Sequence, residues 1–143
     1  MSDEWPELRR ADLRLSFRHP AMTPGGQLVE IAEEFPGDAH RVHVTAPVPG
    51  EIYLELFRMP GLSAADEYTR HRSYLEGRFG PGSVGEPVES DLAGRPARSY
   101  VFGSDDLRRE ARSLEVDEDL YRVIIDPRIP LNHEIVATMR VDD

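Results

Sequence analysis

Residues 51–59 constrain the fold of this chain more than any other segment. Their apolar side chains alternate in a way that makes both faces of an extended strand apolar. One face has Ile52, Leu54 and Leu56, and the other has Tyr53, Phe57 and Met59. Such a strand is expected in the middle of a sheet that is covered on both sides, or in a sheet that offers one face to a partner.

Three shorter alternations precede this strand and are separated from one another by turn sequences. Their apolar positions are Leu13, Leu15 and Phe17 in the first, Val29 and Ile31 in the second, and Val42 and Val44 in the third. Pro20 ends the first alternation. We therefore predict three strands on the N-terminal side of residues 51–59.

A single long helix is predicted from Ser63 to Gly80. The Ser63 side chain is placed to accept a hydrogen bond from the amide of Asp66, and Gly80 is typical of a helix end. The predicted buried stripe consists of Ala64, Tyr68, Leu75 and Phe79. Glu67 and His71 lie four residues apart, an arrangement that we interpret as a pair that supports the helix and not as a functional site.

The rest of the chain predicts an antiparallel meander followed by a short helix. The strand patterns cover residues 84–92, 97–102, 111–116 and 120–126. Asn132 is placed to cap a helix over residues 133–138, and residues 139–141 add an edge strand. The predicted fold class is therefore α+β, an antiparallel β-sheet with one long helix and a short C-terminal helix. We expect a single domain over residues 1–143, with residues 1–10 as a candidate flexible segment.

Composition excludes several classes of function. The formal net charge of −10 argues against nucleic acid and anionic membranes as partners, because both attract a surplus of basic residues. The absence of cysteine excludes disulfides, thiolate metal sites and cysteine nucleophiles. All 17 basic residues are arginine, which excludes lysine-based catalysis. The acidic start of the chain differs from a signal peptide, so we expect a cytoplasmic location.

Residues 80–85 formally match the G-x-G-x-x-G pattern of dinucleotide-binding proteins. That pattern binds phosphate where a strand leads into a tight turn and then into a helix. Here the motif follows the predicted helix and contains Pro81. We therefore predict a plain loop.

No metal or catalytic site is predicted elsewhere. His40 and His43 are three residues apart in a predicted strand, which places them on opposite faces, where they cannot share a metal. The acidic runs at residues 105–106 and 117–119 are typical of turns and lack the spacing of a calcium loop. We therefore expect no cofactor, no catalytic residue and no enzymatic activity.

Four aromatic residues form the candidate partner-binding site. Tyr53 and Phe57 lie on the less obviously core-facing side of residues 51–59, and Tyr100 and Phe102 have the same kind of position in a later strand. If the two strands are close together, the four side chains line one apolar face. The alternative is a second core layer beneath a helix or loop.

The order of elements resembles the fold shared by the photosystem II protein PsbP and the yeast Ran-binding protein Mog. The resemblance rests on the segment Phe17-x-x-Pro20, the helix after the fourth strand, the run Leu92-x-Gly94-x-Pro96-Ala97 and the ending Ile135-Val136-Ala137-Thr138-Met139-Arg140. The group includes the bacterial lipoprotein DcrB and the Eag chaperones. Because no cysteine is present for acylation, the chain is more similar to the chaperone-like branch. That resemblance implies an apolar sheet face for cargo and the formation of dimers.

We therefore expect a non-enzymatic binding protein, an adaptor or chaperone-like protein whose apolar sheet face binds a protein partner or forms a homodimer. The alternative is a small-molecule binder or small enzyme whose polar residues meet only in three dimensions. His40, Arg98 and Asp126 are the candidate residues for such a site. Neither nucleic acid nor a membrane is an expected partner.

Overall fold

In a computed structural model that describes residues 4–142, the chain forms a seven-stranded sheet, a three-stranded sheet and two helices. All paired strands are antiparallel. The predicted α+β class, with one long helix and a short C-terminal helix, is confirmed. No helix within these residues is long and apolar enough to span a membrane.

In chain order the elements are β1 (Glu7–Leu8), β2 (Leu15–Arg18), β3 (Glu30–Glu34), β4 (His40–Thr45), β5 (Leu54–Pro60), α1 (Ala64–Phe79), β6 (Val88–Leu92), β7 (Arg95–Gly103), β8 (Arg108–Val116), β9 (Asp119–Ile125), α2 (Pro130–Val136) and β10 (Arg140–Val141). The larger sheet has the strand order β3-β4-β5-β9-β8-β7-β6, and the smaller sheet has the order β1-β2-β10. The strand predicted at residues 51–59 is β5, an interior strand paired with β4 and β9. Strands β6 to β9 are the predicted meander.

One face of the larger sheet is closed by the smaller sheet and α2. Leu54 and Leu56 of β5 point to this side and have no exposed surface. They belong to a core that also contains Phe17 of β2, Tyr121 of β9 and Ile135 of α2. Burial of these large apolar side chains is the main stabilising contribution on this face.

Helix α1 packs on the other face, over β7 and β8. A second and smaller core forms beneath it from Leu75, Tyr100, Phe102, Ala111 and Ile124. Neither helix of the described chain packs on the part of this face formed by β3 and β4. One face of the sheet is therefore closed, whereas the other is closed only over its meander half.

The ends of α1 agree with the prediction. Ser63 Oγ accepts a hydrogen bond of 3.1 Å from the amide of Asp66. Gly80 ends the helix with φ 103°, a conformation that favours glycine. The glycine-rich residues 80–85 form a loop that leads towards β6, and no helix follows them directly.

Glu67 lies 3.5 Å from His71, as the spacing predicted, but it also faces the sheet. Its side chain has no exposed surface, because it lies on the side of α1 that faces the sheet. Of the predicted stripe, Ala64 and Leu75 are buried, while Tyr68 and Phe79 are half-buried. The stripe that α1 buries therefore contains a carboxylate.

The N-terminal segment differs from the prediction in two places. Leu13 is fully buried but lies in a turn, and Arg14 after it has φ 59°, so the first strand starts only at Leu15. Within the candidate flexible segment, Leu8 belongs to β1, pairs with Phe17 and is buried. A strand of two residues is too short to show a sequence period.

Asn132 is not a helix cap. Helix α2 begins at Pro130, and Ile129 takes the cap position without a side-chain hydrogen bond. The fully buried Asn132 side chain instead accepts a hydrogen bond of 3.1 Å from the amide of Tyr53 and donates one of 3.0 Å to the carbonyl of Asp126. The side chain therefore satisfies backbone groups next to β5 and after β9, which explains a polar side chain inside the core.

Candidate functional site

A cleft of about 670 Å³ lies between α1 and the open part of the larger sheet. We call it the α1 cleft. Its lining residues are Glu34, Pro36, Arg41, Tyr53, Glu55, Phe57, Arg70, His71, Tyr74, Leu75, Arg78, Phe79, Phe102, Leu107, Arg109, Arg122 and Ile124. The cleft exists because α1 covers the meander half of the sheet and leaves the neighbouring strands open.

Strand register brings the floor of the cleft together. Arg41 of β4 is paired with Phe57 of β5, and Phe57 is paired with Arg122 of β9. Directly paired residues of antiparallel strands project from the same face of a sheet. Two arginines therefore flank one phenylalanine across three adjacent strands.

The aromatic rings of the floor are covered by guanidinium groups. The Cζ atom of Arg109 lies 4.0 Å from the ring centre of Tyr53. The corresponding distances to the Phe57 ring are 4.5 Å for Arg122 and 5.7 Å for Arg41. These are cation–π distances. The floor is therefore a mixed surface of aromatic rings and positive charge, and not the purely apolar face predicted from the sequence.

Glu55 organises the outer part of the floor. The Tyr53 hydroxyl donates a hydrogen bond to its carboxylate, and Arg41 Nε donates another over 3.3 Å. Burial and the Glu55 carboxylate together raise the pKa of Tyr53 to about 12. His43 Nε2 is enclosed at 3.9 Å from Glu55 without a hydrogen bond, and burial lowers the pKa of this imidazole. At neutral pH the Tyr53 hydroxyl therefore stays protonated.

Glu67 organises the inner end of the cleft, where α1 meets the sheet. Its carboxylate accepts hydrogen bonds from the Tyr100 hydroxyl at 2.7 Å, the Ser113 hydroxyl at 2.7 Å and Arg122 Nη1 at 3.0 Å. These donors come from β7, β8 and β9, so one side chain of α1 binds three strands. A buried carboxylate is tolerated where its charge is paired and hydrogen-bonded in this way.

His71 lies one turn after Glu67 and lines the cleft. Its Nδ1 atom is 2.6 Å from the Tyr100 hydroxyl oxygen and 3.5 Å from Glu67 Oε2. Burial, reinforced by the positive charge of Arg122, lowers the pKa of His71 to about 3. The imidazole is therefore neutral at physiological pH.

The helix side of the cleft carries an exposed stripe of Arg70, Tyr74 and Arg78, which are spaced by four residues. Tyr74 is 62% exposed. Within residues 4–142, neither of the two arginines forms a hydrogen bond or an ion pair, although Arg78 packs on the Phe79 ring at 5.1 Å. Their guanidinium groups are therefore available to a ligand.

The charge of the cleft is opposite to that of the chain. Five arginines and two glutamates line it, whereas the whole chain has a formal net charge of −10. The buried Glu67 offsets one of these positive charges from beneath the floor. Positive charge concentrated in a concave site attracts anionic groups.

The four predicted partner-binding residues lie in two environments. Tyr53 and Phe57 are half-buried and line the cleft. Phe102 also lines it but is only 7% exposed, and Tyr100 is 3% exposed beneath α1. Tyr100 and Phe102 thus form the core layer that was the alternative to a binding face. A partner in the cleft therefore reaches Tyr53 and Phe57 first.

The polar residues named for a dispersed small-molecule site do not converge. His40 lies on the opposite face of the sheet, where it is buried beside Val42 and is 3.0 Å from Glu33. Arg98 is on β7, four strands away from β4. Asp126 follows β9 and pairs with Arg128 at 3.1 Å. Among residues 4–142 there is no group of three or more His, Asp or Glu side chains that could hold a metal ion.

The residues that build the cleft instead are Glu67, His71, Arg109 and Arg122, which the sequence analysis did not select. One signal was present for the first two. Glu67, His71 and Leu75 follow one another at intervals of four and share the helix face of the apolar stripe. A carboxylate and an imidazole on the same helix face as a buried leucine indicate that these polar groups face the sheet.

Comparison with protein-family models, with curated proteins and with solved structures found no match for this chain. The resemblance to the PsbP and Mog group therefore stays a prediction.

Proposed function

We propose that this chain is a non-enzymatic binding protein, adaptor or chaperone-like in its action, whose α1 cleft receives an acidic segment of a partner protein. The observation that carries the proposal is the excess of arginine in the cleft of an otherwise acidic chain. The proposed partner surface therefore contains both aromatic and positive groups, whereas the sequence predicted an apolar face.

Charge complementarity identifies the chemistry of the occupant. Arg70 and Arg78 are exposed and lack acidic partners within the described chain, and Tyr74 lies between them on the helix. A carboxylate placed against a guanidinium forms a charge-assisted hydrogen bond, about twice as strong as a neutral one. Arg41 also lines the cleft but is already paired with Glu34 at 3.0 Å and Glu55 at 3.3 Å, so Arg70 and Arg78 are the arginines that an acidic side chain binds.

The floor is organised before an occupant arrives. Arg122 is held by Glu67 at 3.0 Å, and Arg109 lies 3.5 Å from Asp126. Side chains that are already ordered lose little conformational entropy on binding. The half-buried rings of Tyr53 and Phe57 supply apolar area between the charges. A segment with acidic residues beside an apolar or aromatic residue fits this arrangement.

The protonation states of the cleft support binding rather than acid–base catalysis. A general base or acid is most effective when its pKa lies near the working pH. The pKa of His71 is lowered to about 3 and that of Tyr53 is raised to about 12, so both groups stay neutral. Neutral groups of this kind form hydrogen bonds but exchange protons poorly at pH 7.

A random peptide library displayed on phage tests the proposal. The library is selected on the unmodified protein, and the recovered peptides are synthesised and measured against a charge-reversal variant, R70E/R78E. Both substitutions are on the exposed face of α1, so folding is preserved. We expect enrichment of Asp and Glu in the selected peptides and a loss of affinity of at least about tenfold in the variant.

A second charge-reversal variant, R98E/R140E, serves as the matched control. Both of its arginines are exposed, lie outside the cleft and lack hydrogen bonds or ion pairs within the described chain, and the change in net charge is the same. It should bind the selected peptides as the unmodified protein does. Peptides without acidic enrichment, or equal losses in the two variants, would overturn the proposal.

Homodimer formation is a competing outcome of the same surface. The mass in solution, measured over a range of protein concentrations, distinguishes the two. A dimer that R70E/R78E abolishes would identify a second copy as the occupant and replace the proposed partner protein. The cytoplasmic location and the chaperone-like cargo stay predictions.

A further inference from the structure

We infer that His71 is the specificity-determining hydrogen-bond acceptor of the α1 cleft, and that it selects acidic segments carrying an N–H or O–H donor next to the acidic residue. The inference rests on the proposed function, because it concerns the same cleft. It adds a requirement on the occupant that positive charge alone does not impose.

The hydrogen bonds of Tyr100 determine which imidazole nitrogen carries the proton. The Tyr100 hydroxyl has one hydrogen, and its oxygen lies 2.7 Å from Glu67 Oε2 and 2.6 Å from His71 Nδ1. A carboxylate is a stronger acceptor than an imidazole nitrogen and has no proton to donate when ionised. The hydroxyl therefore donates to Glu67, and its oxygen accepts the hydrogen of His71 Nδ1.

The surroundings of Nδ1 agree with this assignment. Glu67 Oε2 is itself only 3.5 Å from His71 Nδ1. A lone pair on Nδ1 would be repelled by the oxygen atoms of that carboxylate and of Tyr100, whereas an N–H group is attracted by both. Since the ring is neutral, its other nitrogen, Nε2, carries a lone pair and no hydrogen.

Nε2 is the atom that the fold leaves for a ligand. It has no hydrogen-bond partner within residues 4–142, and the protein does not enclose it completely. His71 lines the cleft together with Arg70, Arg78 and Arg122. A site that contains both cationic donors and a neutral acceptor recognises a pair of groups, an anion together with a neighbouring donor.

The chemical class of the occupant follows from this pair. A Ser, Thr, Asn or Gln residue beside Asp or Glu supplies a donor and an anion at neighbouring positions. A segment of carboxylates alone satisfies the arginines and leaves Nε2 without a partner. The cost of such an unmet hydrogen bond is the basis of the selectivity.

The tautomer of His71 is measured by long-range proton–nitrogen correlation spectra of the folded protein at neutral pH. We expect Nδ1 to be protonated and Nε2 to be bare. Tyr100→Phe removes the oxygen that accepts from Nδ1 and should increase the Nε2-protonated form. Ser113→Ala removes a different hydrogen bond to Glu67 and should leave the tautomer unchanged. A protonated Nε2 in the unmodified protein overturns the inference and leaves the proposed function intact.

Binding of matched peptides completes the test. An acidic peptide selected on the protein is synthesised twice, with Ser or with Ala next to its acidic residue. The unmodified protein should prefer the Ser peptide by about three- to tenfold, the value of one net hydrogen bond. His71→Asn keeps an amide group near the position of Nδ1 and removes Nε2, so the preference for the Ser peptide should disappear. His71→Gln places its amide near the position of Nε2 and should retain part of the preference. Equal binding of both peptides by the unmodified protein contradicts the inference, while failure of all acidic peptides contradicts the proposed function.

Discussion

Arg122 on β9 donates a hydrogen bond of 3.0 Å to Glu67 on α1, whose side chain has no exposed surface. The pair connects the helix to the interior of the sheet at the inner end of the α1 cleft. The same carboxylate oxygen accepts from Tyr100, which in turn contacts His71. One ion pair therefore holds the floor arginine, the helix and the imidazole of the candidate site in place.

Replacement of Glu67 by Gln should destabilise the protein strongly. The substitution leaves Arg122, whose side chain is only 14% exposed, without a countercharge, and breaking a fully buried ion pair costs about 3–5 kcal/mol, which is the upper bound here. Urea unfolding measures the change. The matched control is Glu76→Gln, which removes the partly exposed pair with Arg72 within one turn of the helix and should cost only about 0.2–0.5 kcal/mol.

The double variant E67Q/R122L distinguishes loss of a charge partner from loss of packing. It removes the unpaired charge and keeps an amide oxygen that can accept from the Tyr100 or Ser113 hydroxyl, so stability should recover relative to Glu67→Gln. A double variant that is no more stable than Glu67→Gln would show that the pair itself contributes net stability. An effect of Glu67→Gln below about 1 kcal/mol would contradict the burial of an unpaired charge.

The elements of this fold could be predicted because each has a local signal. The period of two in β5 and the capped helix from Ser63 are properties of neighbouring residues. The cleft has no such signal. Glu67 contacts Tyr100, Ser113 and Arg122 over 33, 46 and 55 residues of sequence. A surface salt bridge and a buried network have the same four-residue spacing within the helix, so the spacing alone does not distinguish them.

Only the part of the site that has a local sequence signal could be predicted. Alternation over residues 51–59 correctly placed Tyr53 and Phe57 together on one face. It carried no information on what covers that face, so it left open whether Tyr100 and Phe102 line a binding surface or a core layer, and α1 buries them. Nor did the sequence show that guanidinium groups of β8 and β9 lie over the rings. The change from an apolar to a cationic face is a consequence of strand order.

Replacement of Asn132 by Ala should disconnect α2 from β5. The amide of Tyr53 would be left without a partner, whereas the carbonyl of Asp126 would still accept a hydrogen bond of 3.3 Å from the amide of Ile129. One unsatisfied buried group costs about 1–3 kcal/mol, so we expect a destabilisation of that size. Urea unfolding gives the total, and hydrogen exchange at the Tyr53 amide should accelerate. The exposed substitution Glu134→Ala in the same helix should change neither value.

Replacement of Ser63 by Ala should weaken the start of α1. The hydroxyl accepts the hydrogen bond of the Asp66 amide, and loss of such a cap costs about 0.5–2 kcal/mol. Thermal unfolding measures the effect. Ser73→Ala is the control, because Ser73 is exposed within α1 and alanine there improves helix propensity. Equal shifts in the two variants would show that the cap contributes nothing.

The stability of the protein should fall as the pH decreases from 6.5 towards 5. Burial, with the charge of Arg122, lowers the pKa of His71 from 6.5 to about 3. Below pH 6.5 the unfolded chain takes up a proton at His71 and the folded chain does not, so the free energy of unfolding rises with pH in this window. Above pH 6.5 this contribution is complete and constant.

His71→Asn isolates this effect, since it removes the titrating group and keeps a polar side chain beside Tyr100. Subtracting its pH profile of unfolding free energy from that of the unmodified protein cancels the contribution of His43, whose pKa is also lowered by burial. The difference should have a positive slope of at most about 1.4 kcal/mol per pH unit between pH 5 and 6 and no slope above pH 7. A difference that is flat across both ranges would mean that His71 is protonated equally in the folded and unfolded chains, and that the imidazole is not held neutral against Tyr100 and Glu67.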